Sequence, residues 1–128
     1  MGFLQILLFP ASLLYGTAVW LRNKFYDWRI FPSKEFDFPV ICIGNLTSGG
    51  SGKTPHTEYL IRILKQNHKI ATLSRGYGRK SGGFLIANEN SSSAEIGDES
   101  KQYSKKFPEI TVAVDENRVH GIKKIKKE

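Results

Sequence analysis

The sequence predicts an α/β fold: a parallel sheet with flanking helices, preceded by an apolar N-terminal membrane helix. Three observations predict it. From residue 40 onward, strand-like and helix-like patterns alternate, as they do where crossover helices join parallel strands. A glycine-rich turn, "GNLTSGGSGKTP" at 44–55, joins the first strand pattern to the first helix pattern. An uncharged run, "FLQILLFPASLLYGTAVWL" from Phe3 to Leu21, lies near the start of the chain.

That first run is close to the ~20 mostly apolar residues that a bilayer-crossing helix needs. Gln5, Pro10, Ser12, Gly16 and Thr17 dilute it, so spanning and interfacial placements both stand, beside an ordinary core helix. Arg22, Lys24 and Arg29 follow the run rather than precede it, which disfavours an export signal and sets the downstream chain on the cytoplasmic side. Trp20, Phe25, Tyr26 and Trp28 suit a membrane interface or the cover of a core. Residues 1–37 therefore form a membrane-associating segment, and residues 38–128 the sheet domain.

Within that domain, "VICIG" (40–44) reads as a buried parallel strand, and "PHTEYLIRILKQN" (55–67) as a helix with Pro55 just inside its start. "KIATLS" (69–74), "GFLIAN" (83–88) and "EITVAVD" (109–115) read as further strands. A Ser/Asn-rich loop and a short helix, "ESKQYSKKF", separate the last two. "ENRVHGIKKIKKE" reads as an amphipathic helix with a solvated lysine face. The single cysteine, Cys42, sits in an apolar run and is expected to be buried, while His56, His68 and His120 are expected on surfaces or helices.

The net charge is +7, from 19 basic and 12 acidic residues, and most of the excess lies in residues 101–128. Such a balance favours phosphate-rich partners without choosing among them. No DNA- or RNA-binding module accompanies the lysines, so nucleic acid is not expected.

The glycine-rich turn carries the clearest chemistry. Between a strand and a helix, Gly49, Gly50, Ser51 and Gly52 bring backbone N–H groups toward one point, and the helix adds its positive end. Lys53 reaches the terminal phosphates and Thr54 ligates Mg²⁺, so nucleotide binding is expected. The pattern departs from G-x-x-x-x-G-K-[ST] at one place, where Thr47 replaces glycine. Beyond the next strand, "SRGYGRKSGG" presents Arg75, Tyr77 and Arg79, either as a site for an anionic, sugar-like or lipid-phosphate substrate or as a mobile basic loop. In "IGDES", Asp98 is either a general base or a plain helix N-cap.

Taken together, "GNLTSGGSGKTPHTEYL", "LSRGYGRKSGGF" and "IGDES", after an apolar helix and "LRNKFYDW", resemble the N-terminal part of the tetraacyldisaccharide 4′-kinase family. The resemblance covers essentially the whole chain and includes the threonine at the off-pattern position. It implies a P-loop NTPase-like core and a kinase at the cytoplasmic face of the bacterial inner membrane. That kinase moves the γ-phosphate of ATP to the 4′-hydroxyl of a lipid A disaccharide 1-phosphate precursor. It also implies that Asp98 is the base, that Glu99 assists at magnesium, and that Arg75 and Tyr77 face the lipid-sugar. The family continues with a strand ending in paired aspartates and a later histidine. The sequence stops at Glu128 before either, so an N-terminal fragment, inactive alone, is expected. A membrane-tethered nucleotide-binding regulatory module without kinase activity is the alternative.

Overall fold

The computed structural model describes residues 3–44 and 52–127, with backbone alone for residues 3–7. The chain divides into two compact units, Met1–Val40 and Ile41–Glu128.

The first unit is built on one helix, α1 (Phe3–Asp27), which runs through Pro10 and past the uncharged run. Arg29, at φ 57°, turns the chain back, and the N–H groups of Ile30 and Phe31 both reach the Phe25 carbonyl. Phe31 then meets Phe25 and Tyr26 edge-on at 5.3 and 5.2 Å, which accounts for part of the aromatic cluster by packing within the unit. Among the described residues, no helix is long and apolar enough to cross a membrane. Of the expected apolar membrane helix, the described residues therefore show a long helix but not one that crosses a bilayer. Pro10 lies inside α1, and Lys24 lies in its last turn. Leu13, Leu14, Tyr15 and Trp20 are exposed along it.

The second unit places helices on both faces of a three-stranded sheet. Its elements are α2 (Lys53–Leu64), β1 (Ala71–Ser74), β2 (Leu85–Ile86), α3 (Ser93–Ile96), α4 (Asp98–Lys106), β3 (Thr111–Val114) and α5 (Arg118–Ile125), with strand order β1-β3-β2. β1 and β3 run parallel, Ala71 opposite Thr111 through Ser74 opposite Val114. β2 pairs antiparallel to β3, Leu85 opposite Val114, so the sheet is mixed rather than all-parallel. The reason is the loop after β1. Residues 75–84 hold no helix and do not carry the chain back to the other end of the sheet, as a parallel connection requires.

Residues 40–44 form no strand. Val40 and Ile41 are exposed and pair with no strand among the described residues, so their β-branched character finds no ladder to join. Cys42 is likewise exposed, not buried. Ile61 of α2, Tyr103 of α4, Phe107 and Val112 of β3 make a core cluster on one face of the sheet. The alternate residues Leu73 and Asp115 meet Gly121 of α5 on the other face, where an added Cβ would stand 2.8 Å from Leu73. α3, unanticipated in the Ser/Asn-rich loop, is closed by a capping box in which Ser92 and Glu95 satisfy each other's end groups.

Candidate functional site

Helix α2 begins at the end of the glycine-rich turn. Gly52, at φ 74° and ψ 20°, occupies the left-handed region that costs glycine nothing, and its carbonyl accepts from the His56 N–H at 3.2 Å. Lys53 and Thr54 are the first residues of the helix. Gly49, Gly50 and Ser51, with the rest of residues 45–51, lie outside the described residues.

Thr54 and Glu99, 45 positions apart, meet across the α2–α4 interface. The Thr54 hydroxyl donates to Glu99 Oε1 at 2.8 Å. The same oxygen accepts from the Tyr103 hydroxyl at 2.7 Å. Further along, buried Glu58 of α2 accepts from Gln102 Nε2 at 2.8 Å and from Lys106, with Arg62 at 3.7 Å. The Lys106 ammonium leads the neighbours that hold Glu58 below the usual carboxylate range, against the opposing effect of burial. This polar seam fixes α4 against α2, and with it the place of Glu99 beside Thr54. Burial pushes the Tyr103 phenol up to about 12, and Glu99 acts in the same direction, so the phenol keeps its proton to donate.

The start of α4 is tied to the carboxyl end of β1. Ser100, almost wholly buried, lies 2.8 Å from Ser74 through the two hydroxyls, and Ser74 Oγ also accepts from the Gly76 N–H at 3.1 Å. Gly97 takes the N-cap position, so Asp98 is not the cap but the first helical residue, exposed in the first turn beside Glu99. Its carboxylate stands where the helix's N-terminal end favours negative charge.

The three basic-loop residues separate. Arg75 is exposed and borders an open depression of about 560 Å³, lined also by Glu116, Asn117, Arg118 and Val119 at the start of α5. Tyr77 is 98% exposed. Arg79 turns inward: its side chain is only 3% exposed, Nη2 donates to the Gly83 carbonyl at 2.8 Å, and the same nitrogen pairs with Glu116. In this arrangement Arg79 fastens the loop, and Arg75 and Tyr77 are the residues left facing outward. Burial, then the like charge of Arg75, lowers the Arg118 guanidinium from its ordinary value. Two cations at one depression suit an anion.

Sequence reasoning passed over Tyr103, Ser74, Ser100 and His120. Tyr103 had a readable signal, since a residue four positions after Glu99 shares its helix face. His120, whose Nδ1 lies 2.6 Å from buried Asp115, had none beyond the fold itself. Among the described residues, no group of three or more His, Cys, Asp or Glu gathers as a metal cage. The hydroxyl and carboxylate oxygens of Thr54 and Glu99 instead fit a hard cation that draws its remaining ligands from phosphate and water.

Comparison with known proteins gives the chain a family. The family model described as "Tetraacyldisaccharide-1-P 4'-kinase" matches residues 4–128. A tetraacyldisaccharide 4′-kinase of Phocaeicola vulgatus is 57% identical over 92% of the chain and 32% of its own length. One from Flavobacterium johnsoniae is 52% identical over 95% of the chain and 36% of its own. The chain thus spans about a third of the length of these relatives. Among solved structures, the "apo" form of LpxK from Aquifex aeolicus in complex with ATP superposes with a TM-score of 0.77 at 40% identity, covering 97% of this chain and 41% of that one.

Proposed function

Because the chain belongs to the tetraacyldisaccharide-1-P 4′-kinase family, we propose that it forms the nucleotide-binding part of a kinase acting on a lipid A precursor. The reaction transfers the γ-phosphoryl group of ATP to the 4′-hydroxyl of a tetraacyldisaccharide 1-phosphate. The observation that carries this reading is the Thr54–Glu99 contact, which sets a phosphate-loop hydroxyl and the carboxylate of the "GDE" turn at one point. ATP bound to the similar Aquifex aeolicus structure supports the nucleotide.

In this mechanism the amides of the glycine-rich turn and the N-terminal end of α2 receive the β- and γ-phosphates, and Lys53 neutralises their terminal charge. Thr54 and Glu99 would hold Mg²⁺, which when bound would supply positive charge to offset the charge that develops during transfer. Asp98, exposed at the start of α4, accepts the proton of the 4′-hydroxyl as its oxygen bonds to the γ-phosphorus and the bond to the β-phosphate oxygen breaks. Arg75 and Tyr77 face the lipid-sugar from the loop after β1, with Arg118 across the depression available to an anionic group.

A substrate with four acyl chains stays in the bilayer, so the enzyme works at a membrane surface, on the cytoplasmic face of the inner membrane in this reading. The exposed apolar residues of α1, Leu13, Leu14 and Trp20 among them, support an interfacial placement of that helix. Residues 1–128 taken alone are proposed to retain nucleotide affinity with little or no transfer.

The test is transfer of labelled γ-phosphate from ATP to tetraacyldisaccharide 1-phosphate by the intact protein that carries this chain. Mg²⁺-dependent product that disappears in Lys53→Ala supports the kinase. Nucleotide binding with no lipid product under any condition rejects it.

A further inference from the structure

Glu99 would be a poor cation ligand if left to itself. It is exposed, in the first turn of a helix, and its side chain has many rotamers to lose when a cation fixes it. One neighbour removes that freedom in advance. Tyr103, one helical turn further on, is 3% exposed and packed with Ile61, Phe107 and Val112, so its ring has a single place to lie. From there its hydroxyl donates to Glu99 Oε1 at 2.7 Å, on the same oxygen that the Thr54 hydroxyl reaches at 2.8 Å. Neither bond uses Oε2. Thr57 also approaches the phenol, and its own hydroxyl donates to the Lys53 carbonyl at 2.9 Å, so the phenol joins the first turns of α2 and α4.

From this geometry we infer that Tyr103 is a positioning residue for the metal–nucleotide site. Its hydroxyl sets the plane of the Glu99 carboxylate so that the carboxylate meets Mg²⁺ already oriented. The inference rests on the assignment of Thr54 and Glu99 to that site. Tyr103 touches neither phosphate nor substrate in this role; it acts through Glu99. A core of the same shape could be built with phenylalanine, and the hydroxyl is the part that the packing leaves unexplained.

The deciding variant is Tyr103→Phe in the intact protein. The readout is the Mg²⁺ concentration that half-saturates binding of a non-hydrolysable ATP analogue, followed by calorimetry, with the same binding measured in a chelator. The inference expects half-saturation to rise about tenfold, the lower end of what loss of an outer partner of a metal ligand costs, with chelator-state affinity unchanged. In Glu99→Gln, where the oriented carboxylate is already gone, adding Tyr103→Phe should change the Mg²⁺ dependence no further. A fall in melting temperature with unmoved half-saturation, or additive effects in the double variant, overturns it.

Should the phenylalanine variant not fold, 3-fluorotyrosine at position 103 replaces it. Adding Mg²⁺ to the nucleotide-loaded protein should then move its fluorine resonance, and a resonance that stays in place overturns the inference. The two readings fail differently. Wild-type protein whose nucleotide binding ignores Mg²⁺ brings down the metal site and this inference with it. Normal Mg²⁺ dependence in both wild type and Tyr103→Phe brings down this inference alone.

Discussion

A Cβ placed on Gly97 would stand 2.9 Å from the carbonyl oxygen of Tyr77. The backbone after β1 and the N-cap of α4 therefore touch directly, and Gly97 also sits at φ 82°, where a side chain is strained. The contact binds the loop carrying Arg75 and Tyr77 to the helix carrying Asp98 and Glu99. Gly97→Ala is expected to destabilise the protein by about 1–3 kcal/mol through clash and backbone strain together. Transfer activity should fall further than stability accounts for, because both halves of the site shift. Urea unfolding and kinetics on the same variant check this, and an alanine variant of wild-type stability would contradict it.

Lys53 and Asp98 should separate binding from chemistry. Both lie at the first turns of their helices, Lys53 opening α2 and Asp98 opening α4. Lys53→Ala should weaken ATP binding and suppress turnover together if its charge meets the terminal phosphates as proposed. Asp98→Asn keeps size and polarity but cannot take a proton, so it should lower kcat by about 10²- to 10⁴-fold with ATP affinity little changed. Full turnover in Asp98→Asn would remove the base assignment.

These sites were legible to different depths for physical reasons. The helix after the glycine-rich turn was readable from its apolar spacing, but it starts at Lys53, two residues before the expected Pro55, so that Lys53 and Thr54 open it. Strands β1, β2 and β3 fell within their apolar runs, since period and β-branching are local properties. The direction of β2 is not local: it depends on whether residues 75–84 reverse the chain or carry it across, and composition is silent on that. Residues 40–44 show the other limit, for a β-branched run becomes a strand only where a neighbour offers a ladder. Arg79 shows a third. Alike in sequence to Arg75, it is drawn inward by Glu116, which lies 37 positions away.

That inward turn has a measurable consequence. Arg79 Nη2 holds both the Gly83 carbonyl and Glu116, while Glu116 Oε2 accepts from the Gly83 N–H at 3.1 Å, so one pair closes the base of the loop. Arg79→Ala is expected to cost about 1–2 kcal/mol, discounted from the buried-pair range because Glu116 is more than half exposed. Proteolysis within residues 75–84 should quicken in the variant. If the loop resists protease as in wild type, the fastening role is wrong.

Asp115 predicts how stability responds to acid. Its carboxyl is 2% exposed, and burial alone would raise it, but the His120 ring at 2.6 Å and the Asn117 N–H at 2.8 Å outweigh burial and hold it below the ordinary aspartate value. A group lowered in the folded state contributes stability above its unfolded value of about 3.9 and loses it as pH falls through the folded value. Wild-type protein should therefore weaken progressively below about pH 4, with Glu58 adding to the same slope because it too is lowered. Asp115→Asn keeps the shape and an acceptor for Asn117 but gives up the charged partner of His120. It should begin about 1–3 kcal/mol less stable at neutral pH, and its deficit should narrow toward pH 3 as the wild-type carboxyl protonates. Urea midpoints from pH 7 to 3 decide the matter: curves that run parallel over the whole range would show that the buried carboxylate is not what acid attacks.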